Sequence, residues 1–209
     1  WPELIDVLSR KAALLENPDE VVPVRLQIGN YHETRLGDAT SAIASFREVL
    51  TLQAQNIEAL RALERLYEKT GQMESYLDVL EQELDVVQVP GERISLHERQ
   101  AAAWEEHFRR ADKAAEAYEK VLLIDDRHEA TYESLERLYR QANRPHELVD
   151  MVRRDGEAAT IERLLRHYGS EESIAAAGGR QLIANRGGSM APGLVLRRND
   201  EVSEVAGRV

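Results

Sequence analysis

Apolar residues recur at intervals of three and four positions through most of the chain, and short breaks at Gly, Pro, Asn and Asp separate the runs. This spacing places the apolar side chains on one face of an amphipathic helix. The pattern predicts a series of helices over residues 1–168. They begin near residues 2, 19, 39, 56, 73, 92, 112, 126, 145 and 158.

The chain repeats itself with an offset of 72 residues. Leu63-Glu64-Arg65-Leu66-Tyr67 returns as Leu135-Glu136-Arg137-Leu138-Tyr139, and Phe46-Arg47-Glu48-Val49-Leu50 aligns with Tyr118-Glu119-Lys120-Val121-Leu122. A single helical hairpin leaves one apolar face open, so a fixed period of this kind predicts hairpins stacked side by side. We therefore expect an all-α fold, an α-solenoid of antiparallel helix pairs.

Within the offset, glycines divide the chain into shorter units. Gly37 and Gly71 are 34 residues apart, and the next interval, to Arg109, is 38 residues. One residue is inserted between Gly29 and Gly37. Small residues are predicted where two helices cross closely, with an aromatic ring beside them. Ile28-Gly29, Ala42 with Phe46, Ala114 with Tyr118, Leu63 with Tyr67, and Leu135 with Tyr139 follow such a pattern.

These residues and spacings resemble the tetratricopeptide repeat, and in particular the long arrays of bacterial proteins. The sequence departs from the family pattern at Ala54 and Asp126, where proline is usual, and at Glu64 and Glu136, where glycine is usual. The resemblance implies a right-handed superhelix with a concave groove that binds peptides or partner proteins. It covers residues 1 to about 156. The clamp for a C-terminal carboxylate is not expected, because Leu26 stands where that clamp has a lysine.

We predict a repeat domain over residues 1–168 that starts within a repeat, with units of about 1–72, 73–144 and a partial unit 145–168. Residues 169–209 contain seven of the twelve glycines. Such a composition buries little apolar surface, so we expect a linker-like, poorly ordered tail. Because Trp1 falls inside a repeat, we expect the chain to be part of a longer array, with apolar ends prone to self-association.

The formal charge of −11 belongs to residues 1–168, since residues 169–209 carry five acidic and five basic side chains. An acidic body repels phosphate backbones, which argues against nucleic-acid binding. The absence of cysteine excludes disulfides and thiolate chemistry. No apolar stretch reaches the length of a membrane span, so membrane insertion is not expected. The sequence shows no leader-like segment, which slightly favours a cytoplasmic location but does not identify the compartment.

The resemblance implies that the first helix of each pair lines the groove. Counting along these helices predicts candidate groove residues Asn30, Arg61, Arg65, Lys69, Glu133, Arg137 and Arg140. Arg61, Arg65 and Lys69 are four apart and form a basic stripe, which would suit an acidic peptide. The alternative is a solvated face with local ion pairs: Arg61 with Glu58 or Glu64, Arg65 with Glu68, Glu133 with Arg137 and Glu136 with Arg140.

The six histidines form no pair at helical spacing, and no glycine-rich phosphate loop is present, so we predict no catalytic residue, metal or cofactor. We expect a non-enzymatic scaffold that binds a protein or peptide partner in its groove, and an acidic segment in particular. The alternatives are a structural spacer or self-association module, and a non-catalytic part of a larger enzyme or signalling protein.

Overall fold

The computed structural model describes residues 1–142, 144, 146–148, 150–151, 194–196 and 202–204. These residues fall into two compact units, Trp1–Ala117 and Tyr118–Val209. The helices are α1 (Pro2–Leu14), α2 (Pro18–Tyr31), a π-helical turn (His32–Leu36), α3 (Ala39–Leu52), α4 (Ile57–Thr70), α5 (Met73–Val86), α6 (Pro90–Glu106), α7 (Ala111–Ile124) and α8 (Glu129–Gln141). Two strands follow, β1 (Leu194–Leu196) and β2 (Val202–Glu204).

Polar caps set the ends of these helices. The Asp38 carboxylate accepts from the Ser41 backbone N–H at 3.0 Å, and the Asn56 side chain accepts from that of Ala59 at 3.0 Å. Each satisfies a backbone donor that the first helical turn leaves unpaired. Gly37 and Gly71 end the preceding helices with φ values of 64° and 73°, a left-handed conformation that favours glycine. These predicted starts and stops are confirmed.

The residue inserted between Gly29 and Gly37 has a structural counterpart in the π-helical turn, His32–Leu36. A π-helical turn accommodates one extra residue without ending the helix. The prolonged helix then closes on Gly37, and the Asp38 N–H donates to the His32 carbonyl at 2.9 Å. The insertion therefore shifts the register of the chain after Tyr31 while α3 keeps its place in the repeat.

In the first unit, helices that follow one another in the chain pack as antiparallel pairs around two clusters of buried apolar residues, a small one between α1 and α2 and a larger one beyond it. The predicted close crossing is present at Gly29, where an added Cβ would lie 2.8 Å from the Phe46 ring. Phe46 is fully buried, as are Leu60 and Leu66 on α4. The expected all-α solenoid is thus confirmed, with glycine placed where the aromatic ring leaves no room for a side chain.

The second unit buries the repeated residues Leu135, Leu138 and Tyr139 on α8. This helix begins at Glu129, three residues after the predicted start near residue 126, and its N-cap is His128, whose ring contacts the Thr131 hydroxyl at 2.8 Å. The helix predicted to begin near residue 158 lies outside the described residues.

The strands β1 and β2 pair antiparallel, with Val195 opposite Ser203. Sequence analysis did not predict these strands, because it treated residues 169–209 as a linker-like tail. The rest of that tail lies outside the described residues, so its predicted disorder stays a prediction. No helix in the described part of the chain is both long enough and apolar enough to cross a membrane.

Candidate functional site

Seven charged residues of the first unit connect alternate helices of the solenoid, and we call them the charged face. They come from the π-helical turn, α4, α5 and α6, so each contact joins positions far apart in the chain. These contacts lie on the face of the solenoid that α4 and α6 form together. The members of the charged face are Glu33, Arg61, Glu64, Arg65, Glu83, Glu92 and Arg99.

Arg65 binds Glu33 with both arms of its guanidinium group. Its Nε donates to Glu33 Oε1 at 2.9 Å, and a terminal nitrogen donates to Oε2 at 2.8 Å. This bidentate geometry is the strongest arrangement for an arginine and a carboxylate. The Glu33 hydrogen bonds raise the pKa of Arg65 above its usual value, so the arginine stays charged. The predicted local pairing of Arg65 with Glu68 is therefore replaced by a contact between helices.

Arg61 likewise reaches another helix. It donates to Glu92 Oε2 on α6 at 2.6 Å, and its Nε lies 4.0 Å from Glu83 Oε2 on α5. The predicted partners Glu58 and Glu64 are not the residues that hold it. Since Arg61 is about half exposed, the contact with Glu92 lies at the surface and adds little to stability.

Glu64, Arg99 and Glu83 form the inner part of the charged face. Arg99 on α6 donates to Glu64 on α4. Glu64 is 8% exposed and Glu83 only 2% exposed, so both carboxylates have lost most of their hydration. One guanidinium group, itself partly exposed, therefore stands beside two largely buried acids. An arrangement of this kind is sensitive to the removal of its cation.

An open hollow of about 510 Å³ lies against these side chains. Its charged lining consists of three arginines and four glutamates, and Ser95 and Leu96 complete it. If every group is ionised, the lining carries one more negative charge than positive. The charged residues are Arg61, Arg65, Arg99, Glu64, Glu68, Glu83 and Glu92.

The pKa of Glu83 is raised to about 7. Burial is the largest cause, and the neighbouring Glu64 carboxylate adds to it, while Arg99 and Arg61 act in the opposite direction. Burial also raises the pKa of the nearby Tyr76 hydroxyl to about 12. Glu83 thus exchanges a proton near neutral pH, which a surface glutamate does not do.

The other predicted site residues have different surroundings. Asn30 is half-buried on α2, and its backbone carbonyl accepts from the Thr34 hydroxyl at 2.6 Å. Lys69 is exposed on α4 and makes no ion pair to another described residue of the first unit. The structure thus brings Arg61 and Arg65 into one surface with acids that sequence analysis had not placed there.

On α8, Glu133 and Arg137 are exposed and Arg140 is half-buried. Arg140 donates to Glu136 one turn before it, and this predicted pair is confirmed. This pair lies in the second unit.

The acids and the arginine that sequence analysis missed carry a recognisable signal. Arg61 and Glu92 are 31 positions apart, Arg65 and Glu33 are 32 apart, and Glu64 and Arg99 are 35 apart. Each separation is close to one repeat period. Opposite charges one repeat apart would therefore have indicated these contacts, whereas a search for pairs within one helix could not.

Groups of three or more acidic or histidine side chains with the spacing of a metal site do not occur among the described residues. The buried His97 contacts Gln100 Oε1 at 3.2 Å, so its ring has a partner within the fold. The charged face consists of carboxylates and guanidinium groups; Ser95 lines the same hollow, and the Tyr76 hydroxyl lies near Glu64 and Glu83. Its groups are suited to binding charges on another molecule.

Comparison with known proteins gives similarity in structure only. No protein-family model matches the sequence, and no curated protein matches it. MamA is 18% identical over 78% of this chain and 89% of its own, with a TM-score of 0.48. The kinesin light chain repeats of Podosopora anserina are 18% identical, cover 86% of each chain and have a TM-score of 0.47. YrrB, described as a TPR protein with an unusual peptide-binding site, is 11% identical over 76% of this chain and 78% of its own, with a TM-score of 0.44.

Proposed function

We propose that this chain is a non-catalytic protein-interaction module, and that the charged face binds a segment of a partner protein. The observation that carries the proposal is the open hollow beside α4, which is lined by charged groups at the meeting point of three helices. Arg65 and Glu33 hold each other in a fixed bidentate pair, so part of the surface is ordered before a partner arrives. A preorganised surface spends less conformational entropy on binding.

The basic stripe of Arg61, Arg65 and Lys69 predicts an acidic partner segment. Arg61 and Arg65 already bind Glu92 and Glu33, so an acidic segment would replace one carboxylate with another and gain little. Lys69 is the one member of the predicted basic stripe for which no ion pair is found among the described residues of the first unit. The acidic-segment hypothesis therefore depends on displacement of the chain's own acids.

Binding to a panel of extended peptides, measured by fluorescence anisotropy, tests both statements. The double variant Arg61→Gln plus Arg65→Gln removes the two guanidinium groups without setting a new charge against Glu33. Its matched control is Arg10→Gln plus Lys11→Gln, which removes the same charge from exposed positions on α1. We expect binding to change about tenfold or more in the first variant, whose charged face keeps its carboxylates but loses two cations, and to stay unchanged in the control.

If acidic peptides bind most tightly and the double variant loses them alone, the acidic-segment hypothesis holds. Equal binding by wild type and double variant would show that these arginines are not part of the site. Failure of the whole panel to bind any version of the chain would contradict the proposed function.

One observation favours self-association as a second candidate. On α1, Leu4, Val7 and Leu14 are 40%, 60% and 84% exposed, and their spacing of three and seven residues places them on one face of the helix. An exposed apolar stripe is typical of a contact surface. Light scattering over a concentration series should then show a dimer, which Val7→Glu plus Leu14→Glu would dissolve. A strict monomer at high concentration would exclude this candidate.

A further inference from the structure

The charged face leaves one negative charge without a match. Each of its arginines already serves a carboxylate: Arg65 binds Glu33, Arg61 binds Glu92, and Arg99 binds Glu64. Glu83 has no guanidinium partner at hydrogen-bond distance, and the side chain that shares a hydrogen bond with it is another acid, Glu64. Its nearest guanidinium contact is Arg61 Nε at 4.0 Å from Oε2, which is too long for a hydrogen bond.

Glu83 is also the most deeply buried acid on this surface. Its side chain is 2% exposed, and Oε1 accepts no hydrogen bond from any described residue. Two buried carboxyl groups that share a hydrogen bond, Glu83 and Glu64, need a proton or an added cation between them. Glu83 lines the hollow, so a cation at the floor of the hollow would lie beside this almost fully buried carboxylate.

We propose that the hollow binds one cationic side chain of the partner segment, a lysine or an arginine, and that Glu83 is the carboxylate that holds it. The proposal rests on the proposed function, since it names the chemistry of the group that the same surface takes. A guanidinium group is the better fit, because its fork can donate to Glu83 and to the exposed Glu68 at the rim. When Glu83 is ionised, the entering charge makes the lining neutral.

Proton binding and cation binding compete at this carboxylate. The groups that face Glu83 are Arg61, Glu64 and Glu68 from α4, and Arg99 and Glu92 from α6. With a pKa of about 7, Glu83 is protonated in much of the free protein at neutral pH. A cation must displace that proton, so its affinity is weak below the pKa and rises by about tenfold between one unit below and one unit above it.

The test uses the bare side-chain analogue n-butylguanidinium, with n-butylurea as its neutral counterpart of similar shape. Both are titrated into the full chain and followed by the amide chemical shifts of α4, α5 and α6. Glu83→Gln removes the charge at nearly constant volume. Glu81→Gln, an exposed residue on the same helix, is the matched control.

We expect n-butylguanidinium to bind wild type and Glu81→Gln alike, and to bind Glu83→Gln about tenfold more weakly. Only the first two should show affinity that rises with pH. Glu83→Asp, which keeps the charge but withdraws it by one methylene, should lie between. Equal binding by wild type and Glu83→Gln, or equal binding of the guanidinium and the urea, would overturn the proposal.

The peptide panel separates this result from the proposed function. Each peptide is made with Arg, Gln or Glu at its centre. Binding that prefers the arginine versions, and loses this preference in Glu83→Gln, supports the inference. Binding without such a preference retains the interaction module and rejects the cation site, whereas binding by no peptide rejects the module itself.

Discussion

The five residues that occur twice in the chain pack alike but form different ion pairs. Leu63, Leu66 and Tyr67 on α4 are buried, and so are Leu135, Leu138 and Tyr139 on α8. Glu64 on α4 is held by Arg99, from a different helix, whereas Glu136 on α8 is held by Arg140, one turn away. Identical residues at identical repeat positions thus take their partners from whatever the neighbouring positions provide.

The position one turn after each glutamate explains the difference. Arg140 follows Glu136 by four residues, the spacing at which a helix brings opposite charges together. The corresponding residue on α4 is Glu68, which repels Glu64 at the same spacing. Without a cation four residues ahead, and with Arg61 paired to Glu92, Glu64 pairs with Arg99 on α6, and this pairing makes α4 part of the charged face.

The largest expected effect should be equal in the two copies. Leu66 and Leu138 are 0% and 1% exposed, so replacing either with alanine removes buried methyl groups and leaves a cavity. We expect each of Leu66→Ala and Leu138→Ala to lower the free energy of unfolding by about 2–5 kcal/mol. Urea unfolding followed by circular dichroism measures this. A loss below about 1 kcal/mol for either variant would show that the copies do not share a core role.

The next effect should separate the copies. Arg99 faces two largely buried acids, Glu64 and Glu83, while Arg140 pairs with Glu136 one turn away in its own helix. Arg99→Gln should lower the free energy of unfolding by about 2 kcal/mol, less than for a fully buried pair because Arg99 is itself partly exposed. Arg140→Gln should cost roughly 0.5–1 kcal/mol. The same urea titrations provide the values, and similar losses in both variants would contradict the distinction.

A smaller effect concerns the two tyrosines. The Tyr139 hydroxyl donates to Glu119 Oε1 at 2.5 Å, whereas the Tyr67 hydroxyl has Arg47 near it, the residue that aligns with Glu119. Tyr139→Phe loses a hydrogen bond to a charged acceptor and should lower the free energy of unfolding by about 1 kcal/mol. Tyr67→Phe should change it by less than about 0.5 kcal/mol. The order of the two thermal midpoints checks this, and a reversed order would refute it.

The comparison also shows which features of the fold and of the charged face the sequence alone can predict. Apolar spacing, Asn56, Gly37 and Gly71 were sufficient to predict the solenoid, because periodicity and capping are local properties. The local pair of Glu136 with Arg140 was predicted correctly for the same reason. Arg61 and Arg65 were assigned partners within α4, although their partners lie about one repeat away.

Those contacts depend on which helices are neighbours and on the rotation of each helix about its own axis. The inserted residue before Gly37 changes that turn and is accommodated by the π-helical segment that carries Glu33. Burial of Glu83 depends likewise on the packing of α5 against both neighbours, and its own sequence context, Glu81 to Asp85, resembles an ordinary solvated stretch. The arrangement of charges on this surface therefore depends on tertiary packing, which the spacing of residues within one helix does not predict.

The finest test converts one copy into the other. Glu68→Arg gives α4 the residue type that α8 has at Arg140, so Glu64 gains a cation one turn away and loses a repulsive neighbour. We expect the free energy of unfolding to rise by roughly 0.5 kcal/mol, and Glu68→Gln, which removes only the repulsion, to give about half of that.

The decisive quantity is the coupling between position 68 and Arg99. If a local cation can replace the distant one, Arg99→Gln should cost less in the Glu68→Arg background than in wild type, by roughly 0.5 kcal/mol. A double-mutant cycle from urea unfolding measures that difference. Strict additivity would mean that Glu64 does not exchange partners, and that the dependence on Arg99 arises from Glu83. Glu83→Gln, added to the cycle, should then abolish the loss caused by Arg99→Gln, which would identify the buried carboxylate as the group that the charged face must balance.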